Sequence, residues 1–249
     1  MLLSTPSFVL HTTKYSETSV IAKVFTRQLG VRSYILKGVR SANGRVKQNL
    51  LQPLSYLDMT VYNNPKKQLQ YVKEIRPMKQ WATIPSDFIK SSLIFFVAEA
   101  LYKSLREEEP LPDVFDFVVE MLESVDEDSI TLPDFPLLFL LRFSTFLGIS
   151  PLNNFSRQEP LFNLKEGRYL APPSFYSLKM DADVDYFLDE TSSMYLHYYL
   201  DSVFSDAPCP LLGLEVRTKL INILLEYYRI HLTDFRNFKS HEILHTVLQ

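Results

Sequence analysis

The hydrophobic period of this chain changes once, near Pro77, and that change calls for two kinds of architecture in sequence order. Before Pro77 the apolar residues alternate. Leu57, Met59 and Val61 are separated by Asp58 and Thr60, and Leu69, Tyr71 and Ile75 surround Lys73. A period of two marks a half-buried strand, because successive side chains point to opposite faces. Phe8–Thr12, Ser19–Thr26 and Val31–Val39 are short runs rich in β-branched and aromatic residues, and they predict three more strands. Asn63-Asn64-Pro65 predicts a hairpin tip between the last two, since Asn tolerates left-handed geometry and Pro fixes φ. Five short strands of this kind suit a small closed barrel, the oligonucleotide-binding (OB) fold among them; a meander or a small sandwich would give the same pattern.

After Pro77 the period becomes helical. Ser86 and Asp87 are placed to cap a helix running through Phe95, Phe96 and Leu101 to about Arg106, ahead of the Glu107-Glu108-Glu109-Pro110 break. Asp113 begins a second helix, and Pro133 and Asp134 open a third that ends at Gly148. Residues 153–179 read as an irregular insertion, with Lys165-Glu166-Gly167-Arg168 turning between two short extended pieces. Leu214, Ile221, Leu225, Tyr228 and Leu232 then share one face of a long helix.

Charge follows the same division. The first 80 residues carry 13 Lys and Arg against three Asp and Glu, a net +10, and the remainder carries 13 against 26, a net −13. A basic third on an acidic body suggests a polyanionic partner, although two oppositely charged surfaces docked on each other would look alike. The apolar runs are short; Leu137–Leu141 is broken at once by Arg142, so no membrane partner is expected. The start of the chain shows no basic segment before an apolar run, so no secretory signal is expected. Cys209 is the only cysteine, which excludes an intramolecular disulfide and any multi-cysteine metal site and fits a reducing cytoplasm.

Motifs narrow the chemistry further. With 6 Gly the chain has neither a G-x-G-x-x-G nor a Walker-type loop, so an ATPase or a dinucleotide enzyme is not expected, and a G-x-S-x-G nucleophile elbow is also missing. His241-Glu242-Ile243-Leu244-His245 matches H-E-x-x-H, in which two histidines one helical turn apart share a zinc ion with the glutamate as base. Only Thr246–Gln249 follow it, leaving no downstream third ligand, and two solvated histidines on a final helix are the plainer reading. The segment from Lys37 to Lys47 holds Lys37, Arg40, Arg45 and Lys47 with Gly38 and Gly44 directly after a strand. A loop of this composition lets cations follow phosphates while backbone amides come close, and an ordinary solvated hairpin would have the same residues. Lys14, Lys23, Arg27 and Arg32 belong to the same basic strand region, and Tyr15, Tyr34, Tyr56, Tyr62 and Tyr71 offer stacking faces or barrel packing.

Phe8–Ser41, "FVLHTTKYSETSVIAKVFTRQLGVRSYILKGVRS", resembles the opening of the RecO family, with its Y-S-E-T-S, F-T-x-x-x-G and K-G-x-R elements. "LLQPLSYLDMTVY" (Leu50–Tyr62) continues the likeness. "LRFSTFLGISP" (Leu141–Pro151) and "FKSHEIL" (Phe238–Leu244) resemble later family elements, His241 standing where the family usually has Arg. The resemblance implies an α+β chain: an N-terminal OB-fold β-barrel over about residues 1–80, then an all-α helical domain over about 81–249. It further implies a non-enzymatic recombination mediator that binds single- and double-stranded DNA and anneals complementary strands without ATP. With RecR it would help load RecA onto DNA coated by single-stranded-DNA-binding protein (SSB), in the cytoplasm at the nucleoid. Lys14, Lys23, Arg27, Arg32, Lys37, Arg40, Arg45 and Lys47 would contact DNA, and Arg142, at the family's R-F position, would grip the acidic SSB tail. No cofactor or metal is expected: many relatives carry a four-cysteine zinc module after the L-G-x-x-P element, but residues 153–179 have no cysteine. That stretch would instead be a metal-free loop held by Phe155, Leu161, Phe162 and Tyr169. A zinc peptidase and a scaffold that binds no DNA are the alternatives from other classes.

Overall fold

The computed structural model describes residues 1–39, 48–106, 108–173, 186–204 and 212–247, without the side chains of Gln48 and His245. Arg40, Arg45, Lys47 and Cys209 therefore lie outside the described residues. The chain divides into two compact units, Met1–Ile130 and Thr131–Gln249.

The first unit is built on a closed barrel in the order β1-β2-β3-β5-β4, from β1 (Leu2–Lys14), β2 (Val20–Thr26), β3 (Gly30–Leu36), β4 (Tyr56–Tyr62) and β5 (Leu69–Lys79). β1 makes closure possible. Its first half pairs with β4 (Leu2↔Tyr62 to Phe8↔Tyr56) and its second half with β2 (Ser7↔Thr26 to Lys14↔Val20). An irregularity between Val9 and His11 lets the strand bend from one partner to the other. The β3–β5 pairing is parallel and all the others are antiparallel. Alternation sends Val9, Ala22, Val24, Tyr34, Leu36, Leu57, Met59 and Val61 inward, where Val39 and Leu51 join them. Each large apolar side chain so buried stabilises the barrel by about 1.5–3 kcal/mol.

Two helices complete this unit, α1 (Phe88–Ser104) and α2 (Pro112–Asp126). Asp87 caps α1 by accepting the Lys90 amide at 3.0 Å, as its sequence position predicts. α2 is carried by outward-facing aromatics of the barrel: Phe115 lies 4.8 Å from Phe8, 5.4 Å from Phe25 and 6.0 Å from Tyr56, ring centre to ring centre. The buried Asp126 then ties the end of α2 to the start of the helical region, accepting the amides of Ala82 (2.9 Å), Thr83 (2.8 Å) and Ile84 (3.1 Å). Burial pushes its carboxyl up, and those three amides outweigh it and hold the group below the usual carboxylate range. The strand-to-helix change therefore falls near residue 80, as the period indicates, while the compact unit continues to Ile130 because α1 and α2 pack on the barrel.

The second unit holds α3 (Phe135–Phe146), the two-stranded β6–β7 sheet (Leu161–Asn163 and Arg168–Leu170), α4 (Glu190–Phe204), α5 (Leu214–His231) and α6 (Ser240–Val247). Phe135, Phe139 and Phe143 stack along α3 at 6.0 and 5.4 Å, and the buried Tyr228 of α5 donates to the Leu140 carbonyl at 2.6 Å. In the described part of the cysteine-free insertion, aromatic side chains pack together. Tyr169 is fully buried between Phe155 (5.4 Å) and Phe162 (5.0 Å), and Leu161 is half-buried. Polar contacts close the same loop: the Asn154 side chain accepts from the Tyr169 amide at 2.8 Å and donates to its carbonyl at 2.9 Å.

Candidate nucleic-acid interface

The sequence groups eight cations as one basic surface, and the structure sorts the five described ones by what they touch. Arg27, in the turn after β2, forms a two-pronged contact with Asp116 of α2, Nε to Oδ1 at 2.9 Å and the terminal nitrogen to Oδ2 at 2.8 Å. That hydrogen bond raises the Arg27 pKa and holds the Asp116 carboxyl below its ordinary range. Arg32, on β3, keeps only 10% of its side chain exposed; its Nε donates to the Leu29 carbonyl at 3.2 Å, and Nη1 lies 3.8 Å from Glu108. The segment joining α1 to α2 reaches this turn through its backbone, the Glu108 amide donating to the Val31 carbonyl at 3.0 Å. Gly30, at φ +66°, allows the approach: a Cβ there would stand 2.1 Å from the Glu109 carbonyl oxygen. The expectation that Arg27 and Arg32 serve DNA thus meets one guanidinium already held by an acid of the chain itself and another that is largely buried.

The other end of β3 differs. Here β3 meets β5 in parallel, Ile35 beside Tyr71, and Tyr71 is in turn opposite Tyr62 on β4. With Thr13↔Ile21 and Ile21↔Ile35, these residues make one continuous cross-strand row on the outside of the barrel. Tyr71 is 44% exposed and Tyr62 51%. The Lys37 ammonium stands 5.5 Å from the centre of the Tyr71 ring, and that of Lys67 6.0 Å. Among the described residues no carboxylate pairs with Lys14, Lys37, Lys66 or Lys67. Lys14 belongs to the adjoining row, Lys14–Val20–Leu36, two strands from β3. Lys23 lies further down the outer face with its Nζ 3.4 Å from Ser33 Oγ, and burial lowers its pKa.

The turn carrying Lys66 and Lys67 is fixed from below by the buried Gln70. Its Oε1 accepts the Asn64 amide at 3.0 Å, and its Nε2 donates to the Asn64 carbonyl at 2.8 Å and to the Lys67 carbonyl. Asn64 Oδ1 accepts the Lys66 amide at 3.0 Å. Sequence reading places the hairpin tip here but passes over Lys66 and Lys67. The signal that finds them is a lysine pair within a turn that returns the chain to an exposed tyrosine.

In the second unit, Arg142 is half-buried on α3, one turn from Leu138 and from the 39%-exposed Phe146. Among the described residues its guanidinium has no hydrogen-bond or ion-pair partner. His241 and Glu242 of α6 border a cavity of about 330 Å³ with Pro133, Leu214, Arg217 and Ile221. Arg217 is committed there to the buried Asp134, at 2.7 Å. His241 Nδ1 is buried without a hydrogen-bond partner among the described residues, and the His245 side chain lies outside them. Among the described residues no three His, Cys, Asp or Glu side chains gather to hold a metal, and no helix is long and apolar enough to cross a membrane.

Comparison with known proteins places the chain in a family. The family model for the recombination protein O N-terminal domain matches residues 1–81, and that for its C-terminal domain matches residues 85–155. The chain is similar to the DNA repair protein RecO of Phocaeicola vulgatus, 31% identical with 98% of each chain covered. It is also similar to RecO of Bacteroides fragilis, at 30% over 98% of each chain, and of Christiangramia forsetii, at 28% over 99%.

Proposed function

Because the chain belongs to the RecO family of DNA repair proteins, we propose that it is a recombination mediator that captures DNA strands on its barrel and anneals them without nucleotide hydrolysis. The observation that carries this reading is the group of lysines that, among the described residues, have no carboxylate partner near the exposed Tyr71. Cations already matched by acids release few counterions when a phosphate arrives, whereas Lys37, Lys66 and Lys67 release theirs, and that release drives association. Two strands held on such a surface repel each other less, so a first run of base pairs can nucleate. Phosphate contacts carry no sequence information, so annealing is indifferent to sequence. Single- and double-stranded DNA are both substrates of this surface, and RecR and RecA are the partners with which the annealed or loaded strand is handed on.

Arg142 gives the second unit its part in this reading. An arginine one helical turn from Leu138 and Phe146 suits an acidic tail that ends in an apolar residue and a free carboxylate, as the SSB tail does. The test is ATP-free annealing of complementary oligonucleotides, bare and coated with SSB, by the wild type and by Arg142→Ala. The wild type should anneal both. Arg142→Ala should anneal bare strands normally, fail on coated ones, and bind the tail peptide about 1.5–3 kcal/mol more weakly. No annealing of bare strands by the wild type would contradict the reading, and full activity of the variant on coated strands would remove Arg142 from it.

A further inference from the structure

We propose that Tyr71 and Tyr62 form a stacking platform for unpaired bases, so that this face of the barrel holds single strands by base as well as by phosphate. The inference rests on the DNA-binding reading above and adds the form of strand that the site selects.

The outward aromatics of the barrel fall into two sets. Phe8 and Phe25 are fully buried, covered by Phe115 of α2. Tyr62 and Tyr71 are 51% and 44% exposed, and among the described residues neither ring stacks on another. Their exposure is not needed to fill the barrel, whose interior at this level is already closed by Tyr34, Leu36 and Val61. Beside them the 7%-exposed Ile35 completes the outer row. Directly opposed positions on adjacent antiparallel strands bring Cβ atoms to about 5 Å, so the two side chains leave the barrel next to each other on one face.

The lysines supply the rest of a nucleotide's needs. Lys37 and Lys67 approach the Tyr71 ring from 5.5 and 6.0 Å. An exposed cation–π contact is weaker than the stacking of a base on an aromatic ring, so an arriving base displaces an ammonium from the ring. The displaced ammonium stays within reach of the flanking phosphate. The buried Gln70 fixes the turn that carries Lys67, so little is left to order on binding. In a duplex the base faces are occupied by their neighbours, and only unpaired bases can use the platform.

The experiment compares a short oligothymidylate with the same sugar-phosphate backbone made abasic, by fluorescence anisotropy at one salt concentration. Wild-type protein should bind the intact strand about tenfold more tightly than the abasic one, within the range for stacking one or two bases. Tyr71→Ala should narrow that gap to about twofold, and Tyr71→Phe should restore it. Tyr71→Leu, which keeps apolar cover over the barrel but removes the π face, should behave as Tyr71→Ala and so separates stacking from a folding defect. Equal wild-type affinity for the two strands would overturn the platform while leaving the DNA-binding reading intact. A gap that survives both Tyr71→Leu and Tyr62→Leu would also overturn it. Failure of the wild type to bind either strand would overturn the DNA-binding reading itself.

Discussion

The two ends of β3 both carry cations and treat them in opposite ways. At its start, Arg27 is held by Asp116, Arg32 is largely buried, and the backbone of the α1–α2 connection lies against Gly30. At its end, Lys37 and the nearby Lys67 flank an exposed ring, with no carboxylate paired to them among the described residues. The contrast shows that a count of cations along a basic segment measures charge and not availability. An arginine bound two-pronged to a carboxylate must give up that contact before it can take a phosphate, whereas a solvated lysine gives up only water and counterions.

The largest effect should come from forcing the start of β3 apart. Gly30→Ala requires a side chain at φ +66° with its Cβ 2.1 Å from a backbone oxygen, so both strain and overlap oppose it. We expect a loss of about 3 kcal/mol or more in urea unfolding followed by circular dichroism. Wild-type stability would mean that the connection does not bear on this turn. The next effect concerns affinity. Replacing Lys37, Lys66 and Lys67 together by Ala should flatten the dependence of log K on log salt for single strands by about 2, since each phosphate contact contributes about 0.7. The smallest is the counterpart at the other end: Arg27→Ala should leave that slope unchanged, because the guanidinium is already held by Asp116. A slope flattened equally by Arg27→Ala would erase the distinction between the two ends.

Much of the fold is legible in the sequence because its signals are local. Asp87 caps α1 where the Ser-Asp pair precedes the apolar run, α2 begins at Pro112, one residue before the predicted Asp113, and Gly167 turns β6 into β7. β1 is longer than its predicted core of Phe8–Thr12. The polar Ser4, Thr5 and Ser7 and the amide-lacking Pro6 hide a segment that is a strand because β4 pairs with it. The site is less legible. Arg27 and Asp116 are 89 residues apart, and nothing local to Arg27 tells that an acid will reach it. Glu107-Glu108-Glu109-Pro110 is visible as a helix break, but the place of Glu108 and Glu109 against the start of β3 exists only once α1 and α2 are folded onto the barrel.

The central claim, that DNA lies on the outer row where β3 meets β5, is tested most directly by photocrosslinking. A single strand carrying 5-iodouracil, which couples to an aromatic ring in contact with it, is irradiated with the protein, and the attached residue is read by mass spectrometry. The account predicts adducts on Tyr71 and Tyr62, abolished by excess unlabelled single strand. Adducts confined to the β2–β3 turn around Arg27, or to the second unit, would contradict it.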